Sequence, residues 1–214
     1  MAAKIVKPGN CLIHPTRINV RVGYGWMKVD EEAKGDGRAV LADVFWNTIR
    51  DAFTTKHAGF EDSNNAQVDF SRLRASHGKI VLTSVLEHIK ESDILIFDVA
   101  ESPELLSLHG QEAQDANLET LRKLTSKPSA KMFNSNVLIE IGAAIAMDKR
   151  IMLLCPEGWK NSVPSDLKCY MWTFYKWDGG KDKIIRRFVD QYGMQNCYIG
   201  MLRETLEAKR KSDK

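Results

Sequence analysis

The stretch Asn134–Lys149, NSNVLIEIGAAIAMDK, carries a single charge between Val137 and Ala146, the carboxylate of Glu140. Val137, Leu138, Ile141, Ala144 and Ile145 recur at helical spacing. The segment therefore predicts a core-facing helix that Asn134, Ser135 or Asn136 can cap. Glu140 then falls in about the first turn, beside the buried stripe. Taking an unpaired carboxylate out of water is costly or raises its pKa, whereas the positive end of the helix dipole favours the anion. Opposed influences of this kind suit a reactive carboxylate. A capping box is the bland alternative, but it needs Glu three residues after the cap, and Asn136 to Glu140 is four.

Upstream of this helix, Ile80, Val81, Val85, Leu86 and Ile89 form another helical stripe, ended by Glu91-Ser92-Asp93. The run Ile94-Leu95-Ile96-Phe97 has the continuous apolar character of a buried parallel strand. It finishes at Asp98, where doubly wound sheets present ligand-binding groups, unless Asp98 only caps or turns the chain. Downstream, Arg150–Cys155 predicts a second short buried strand stopped by Pro156-Glu157-Gly158, with Cys155 inside it. Tyr170–Tyr175, rich in aromatics, predicts the last strand. Lys181–Tyr192 and Asn196–Lys214 read as C-terminal helices, the second ending in the solvated tail KRKSDK.

At the other end, residues 1–16 read as an arm without periodicity. Arg17–Gly23 alternates Ile18, Val20 and Val22 with polar residues, as an edge or half-covered first strand would. Tyr24-Gly25-Trp26-Met27 follows, then the polar loop Lys28–Arg38 and an amphipathic helix over about Arg38–Phe53. Aromatics and glycine at the carboxyl end of a strand suit ligand contact, although Gly25 also serves as a turn residue and Trp26 as a packing lid. Phe60–Arg74 is poorly periodic, with a short strand within Ala66–Phe70. Residues 101–133 interrupt the alternation and read as an insertion, with a helix over Gln114–Leu124, that serves as a lid or an oligomer contact.

The order of elements gives one α/β domain across residues 1–214, a mainly parallel sheet with helices on both faces. The 214 residues are 43% hydrophobic and 28% charged, as in an ordinary globular protein. A net charge of +3 falls short of a nucleic-acid-binding footprint, so direct nucleic-acid binding is not expected. The N-terminus lacks an apolar signal core and no run is long enough for a membrane span, which points to the cytoplasm. The four cysteines show no C-x-x-C pair and no His at metal-ligand spacing, so no metal is expected. There is no Walker A string, no G-x-G-x-x-G and no G-x-S-x-G, which argues against kinases, Rossmann dehydrogenases and triad hydrolases.

The strings SDILIFDVAE, NSNVLIEIGAAIAMDKRIMLL and VPSDLKCYMWTFY together resemble bacterial TIR-like nucleotide-binding domains and nucleoside 2-deoxyribosyltransferase-like proteins. The likeness covers about Ser92–Tyr175 without the insertion. It implies a flavodoxin-like or TIR-like doubly wound fold and the cleavage or transfer of an N-glycosidic bond in NAD, a nucleoside or a nucleotide. Carried over residue by residue, the catalytic role falls on Glu140, with Asp98 and Asn136 lining the pocket and Tyr24 and Trp26 approaching the sugar or base. NAD or the nucleotide would be substrate, with no cofactor. The resemblance also implies an anti-phage defence or toxin effector that assembles as a homo-oligomer or with a protein partner. The opening VGYGWMK departs from the usual first-strand motif of either family.

The residues suit this chemistry independently. Breaking a C1′–N bond develops oxocarbenium character on the ribose, which one carboxylate stabilises as an ion pair or captures covalently. Asn136 could hold sugar hydroxyls, or only backbone if it caps the helix. Gly142, Ala143 and Ala146 permit close approach of a ligand or a second subunit, or tight packing of helix on sheet. A module that senses a nucleotide in the same crevice without turning it over is the alternative function.

Overall fold

The computed structural model describes residues 14–24, 37–73, 81–99, 135–179 and 184–212. The arm over 1–13, Gly25 and Trp26 with the loop behind them, and the insertion over 101–133 lie outside the described residues.

Six strands form one sheet in the order β2-β1-β3-β4-β5-β6. They are β1 (Thr16–Tyr24), β2 (Ala66–Arg72), β3 (Ile94–Asp98), β4 (Arg150–Pro156), β5 (Met171–Gly179) and β6 (Ile184–Phe188). The first five run parallel, and β6 returns antiparallel beside β5. Strand order 2-1-3-4-5 is that of a flavodoxin-like doubly wound fold. The described helices are α1 (Gly37–Thr54), α2 (His57–Asn64), α3 (Val81–Glu91), α4 (Ser135–Ala146) and α5 (Gln191–Ser212).

Alternation along the strands sorts the core into two layers. Ile18, Val20 and Val22 of β1 and Ile94 and Ile96 of β3 pack with Ile49 and Phe53 of α1 and Tyr198 and Leu202 of α5. On the opposite face, Leu95 and Phe97 of β3 and Leu153 of β4 pack with Val85 and Ile89 of α3 and Val137, Ile141 and Ala144 of α4. Continuous apolar runs in β3 and β4 follow from this, since a parallel strand covered on both faces has no solvent side. By contrast β1 alternates without being an edge. Its second face carries Arg21, whose guanidinium bonds Asp69 of the true edge strand β2 at 3.3 Å.

Two expectations change. The segment expected as a helix over Lys181–Tyr192 contains β6, so Tyr170–Tyr175 is not the last strand. Ile184, Ile185, Phe188 and Val189 satisfy helical spacing equally well, but pairing with β5 buries Phe188 and Arg186. The poorly periodic stretch after Phe60 falls partly in α2, a helix of eight residues. Its anchor is tertiary: His57 Nε2 and the Tyr198 hydroxyl share a buried 2.7 Å hydrogen bond. Burial lowers the His57 pKa, with Glu61 opposing, so the imidazole is held neutral. Among the described residues, no helix is long and apolar enough to cross a membrane.

Replacing Tyr198 with Phe keeps the ring and strands the His57 nitrogen. Chemical denaturation is expected to show a loss of about 1–3 kcal/mol.

Candidate functional site

In the 2-1-3-4-5 order, β1 and β3 are the neighbours at which the strand order reverses, and doubly wound folds bind ligands in a crevice outside the carboxyl ends at that point. Three residues meet there. Gly23 of β1 and Phe97 of β3 are register partners, and α4 lies across this face with its N-terminal half at the carboxyl end of the sheet. A Cβ built on Gly23 would stand 2.6 and 2.7 Å from Cδ1 and Cε1 of Phe97 and 3.0 Å from Oε2 of Glu140. The carboxylate and the aromatic ring therefore converge on the space over the glycine.

Glu140 is 6% exposed, and its Oε2 has no hydrogen-bond partner among the described residues. Burial pushes its pKa up to about 7. The helix begins at Ser135, so Glu140 lies in the second turn rather than the first, beyond the reach of most of the dipole's support for the anion. Of the two opposed influences, desolvation wins.

Asn136 is the second residue of α4, exposed, and one turn before Glu140 on the same side of the helix. It stands inside the helix rather than at its cap. Tyr24 closes β1, its backbone in register with Asp98. Trp26 lies outside the described residues.

Asp98 is placed differently from a pocket residue. Following Ile94 and Ile96 it points to the α1/α5 face, away from Glu140, and is fully buried. There it pairs with the Arg186 guanidinium of β6 and accepts hydrogen bonds from the Tyr175 hydroxyl at 3.1 and 3.2 Å. The guanidinium lies 4.5 Å from the Tyr175 ring centre and 4.7 Å from that of Trp177, and its Nε donates to Thr48 Oγ1 at 3.1 Å. Asp98 is the anchor of a buried ion pair joining β3, β5, β6 and α1 rather than a ligand group. Arg186 is hidden in the sequence because its partner is 88 residues away.

Of the small residues on α4, Gly142 and Ala146 are on the outer surface, beside Ile139 and Met147. Nothing lies within 4 Å of a Cβ built on Gly142, so tight packing on the sheet is not its role. Cys155 is buried in β4 as expected, its thiol pKa raised by burial and by Asp98. Among the described residues, no cluster of three or more His, Cys, Asp or Glu could hold a metal ion. No family model matches the chain, and no curated protein matches it significantly.

The two carboxylates predict opposite stability effects. Asp98→Ala removes the carboxylate that the buried Arg186 pairs with, and a loss of about 3–5 kcal/mol in denaturant melts is expected. Glu140 has the raised pKa, so the folded state holds its proton more tightly than the unfolded chain, and stability falls as pH rises from 4.5 to about 7. At roughly 1.4 kcal/mol per pH unit the deficit above pH 7 is about 3 kcal/mol. Glu140→Gln should therefore match the parent near pH 4.5 and exceed it at pH 8, as thermal melts at the two pH values can check.

Proposed function

We propose that the chain cleaves or transfers the N-glycosidic bond of NAD, a nucleoside or a nucleotide, with Glu140 as the catalytic carboxylate. The observation that carries this reading is the buried, unpartnered Oε2 at the β1/β3 crevice. A protein that leaves a carboxylate desolvated accepts a stability deficit for it, which is characteristic of functional groups. In the ground state the carboxylate has nothing to pair with among the described residues. As the C1′–N bond breaks, positive charge grows on the sugar ring, and the pairing that was missing forms in the transition state. A dry site makes that pairing stronger than it would be in water. Glu140 then either holds the oxocarbenium ion for attack by water or captures C1′, and the base departs with the bond's electron pair.

Because Asp98 is held by Arg186, it is not available as a second acid for the leaving base. A pyridinium leaving group such as nicotinamide needs none, which favours NAD within the substrate class. The commitment of Asp98 to Arg186 equally suits the other reading, a nucleotide-sensing module without turnover. Asn136, Tyr24 and Trp26 are proposed to contact the sugar or base, the protein to act in the cytoplasm as a defence or toxin effector, and the outer face of α4 to meet a second copy or a protein partner.

Incubation with NAD, nucleosides and deoxynucleotides, with released bases resolved chromatographically, tests the proposal. Glu140→Gln should bind ligand, stay folded and lose base release by at least about 10²-fold. The reactive form is the anion, so kcat/KM in the parent should rise with pH through about 7 and level off above it. Unchanged release by folded Glu140→Gln excludes the catalytic role, and binding without release in the parent selects the sensing module.

A further inference from the structure

We propose that Gly23 is a positioning residue: the space left by its missing side chain is the seat that holds the Glu140 carboxylate low in the β1/β3 crevice. The inference rests on the reading of Glu140 given above. The Phe97 ring at 2.6 Å and Glu140 Oε2 at 3.0 Å converge on the volume that a Cβ at Gly23 would fill. Real Cβ atoms do not tolerate the first distance, and the second requires a neighbour to give way.

What would move is decided by packing. Phe97 is fully buried among Leu95, Val99 and Leu153 and has little room to retreat. The backbone of α4 is fixed by Val137, Ile141 and Ala144, all fully or almost fully buried. The Glu140 side chain, with its rotatable dihedrals, is the softest of the three. A methyl group at Gly23 would crowd the Phe97 ring first and Glu140 Oε2 by a few tenths of an ångström, and of the two the carboxylate has the easier way out, toward water. Oxocarbenium stabilisation depends on a fixed and dry anion, so the effect should appear in kcat more than in KM.

The bland role for Gly23 is a strand glycine covered by a cross-strand aromatic, a known packing device. That role alone would lower stability and leave the carboxylate's ionisation where it was. The elements packed against α4 carry the titratable groups Arg17, Arg21 and Tyr24 (β1), Asp98 (β3, turned to the other face), Arg150 and Cys155 (β4) and Glu87, His88, Lys90 and Glu91 (α3), but burial is the cause that raises Glu140. The titration of Glu140 is thus a direct gauge of how deeply it is seated.

The experiment follows the side-chain carboxyl of ¹³C-labelled glutamate by NMR across pH in the full chain. One titration near 7 is expected in the parent and should vanish in Glu140→Gln. In Gly23→Ala it should move down by about one pH unit or more, with kcat for base release lower by about tenfold and KM within about threefold. Phe97→Leu alone should leave the titration in place. In the double variant Gly23→Ala/Phe97→Leu, where the ring clash is relieved, the titration should still lie low. If Gly23→Ala alone does not fold, the double variant is the one that decides.

An unshifted titration in Gly23→Ala, a double variant that regains the parent's titration, or a parent Glu140 that titrates like an exposed glutamate each overturns the seat. A parent protein with no base release that still shows the shift retains the seat and removes the glycosidase reading. Turnover by the parent with no shift in the variants does the reverse.

Discussion

Because β1 is flanked by β2 on one edge and β3 on the other, the chain leaves β1 over one face of the sheet and comes back to β3 over the opposite face. Helix α1 consequently packs on one face of the sheet, and α3 and α4 on the other. This topological constraint, rather than any motif, sets the place where folds of this strand order bind ligands and decides which residues border it. It places Gly23 beside Phe97, and it brings α4, the helix entering β4, across the same pair of strands. The pairing of β1 with β3 is thus the condition for a carboxylate on α4 to meet a glycine far earlier in the chain.

Two acidic side chains near this end of the sheet show how environment sets role. Asp98 is fully buried, yet its charge meets a guanidinium, a tyrosine hydroxyl and, through Arg186, two aromatic faces. Its desolvation is offset within the fold, and its removal exposes the cost of the partner left behind. Glu140 is nearly as buried and has no such compensation among the described residues. The same physics that makes Asp98 an anchor makes Glu140 a charge awaiting a partner. Sequence position alone favours Asp98 as a ligand group, because it ends a central strand. The alternation of β3 turns it to the wrong face, since it shares the side of Ile94 and Ile96.

Legibility of the fold follows the strength of local signals. The apolar runs of β3 and β4 and the stripes of α3 and α4 are long, uninterrupted and consistent with a single period, so their types and approximate bounds can be read directly. The antiparallel strand β6 reads as a helix because IIRRFV satisfies both periods, and only the hairpin with β5 and the burial of Arg186 against Asp98 select the strand. Helix α2 has two buried residues, His57 and Phe60, too few to make a stripe, and depends on the contact of His57 with Tyr198 in α5. In the site, Glu140 is legible as a lone charge in an apolar helix. Gly23 is legible only as the end of the first strand, because its significance lies in contacts with Phe97 and Glu140 that no local pattern encodes.

A carboxylate whose pKa burial pushes up to about 7 takes its charge state from whatever enters beside it. A neutral ligand that presents a lone pair would draw the protonated form, which donates; a ligand with positive charge on its sugar or base would draw the anion. Linkage then works in both directions, since a group that prefers the anion releases a proton as it binds and lowers the effective pKa of Glu140. Cleavage of a neutral nucleoside moves from the first situation toward the second along its own reaction coordinate, whereas a pyridinium nucleotide such as NAD begins in the second and shifts its charge onto the sugar. The electrostatic gain is therefore largest where charge on the sugar is greatest, which is the differential binding that distinguishes a transition state from a substrate. A carboxylate already paired in the resting protein, as Asp98 is, could contribute little to that difference.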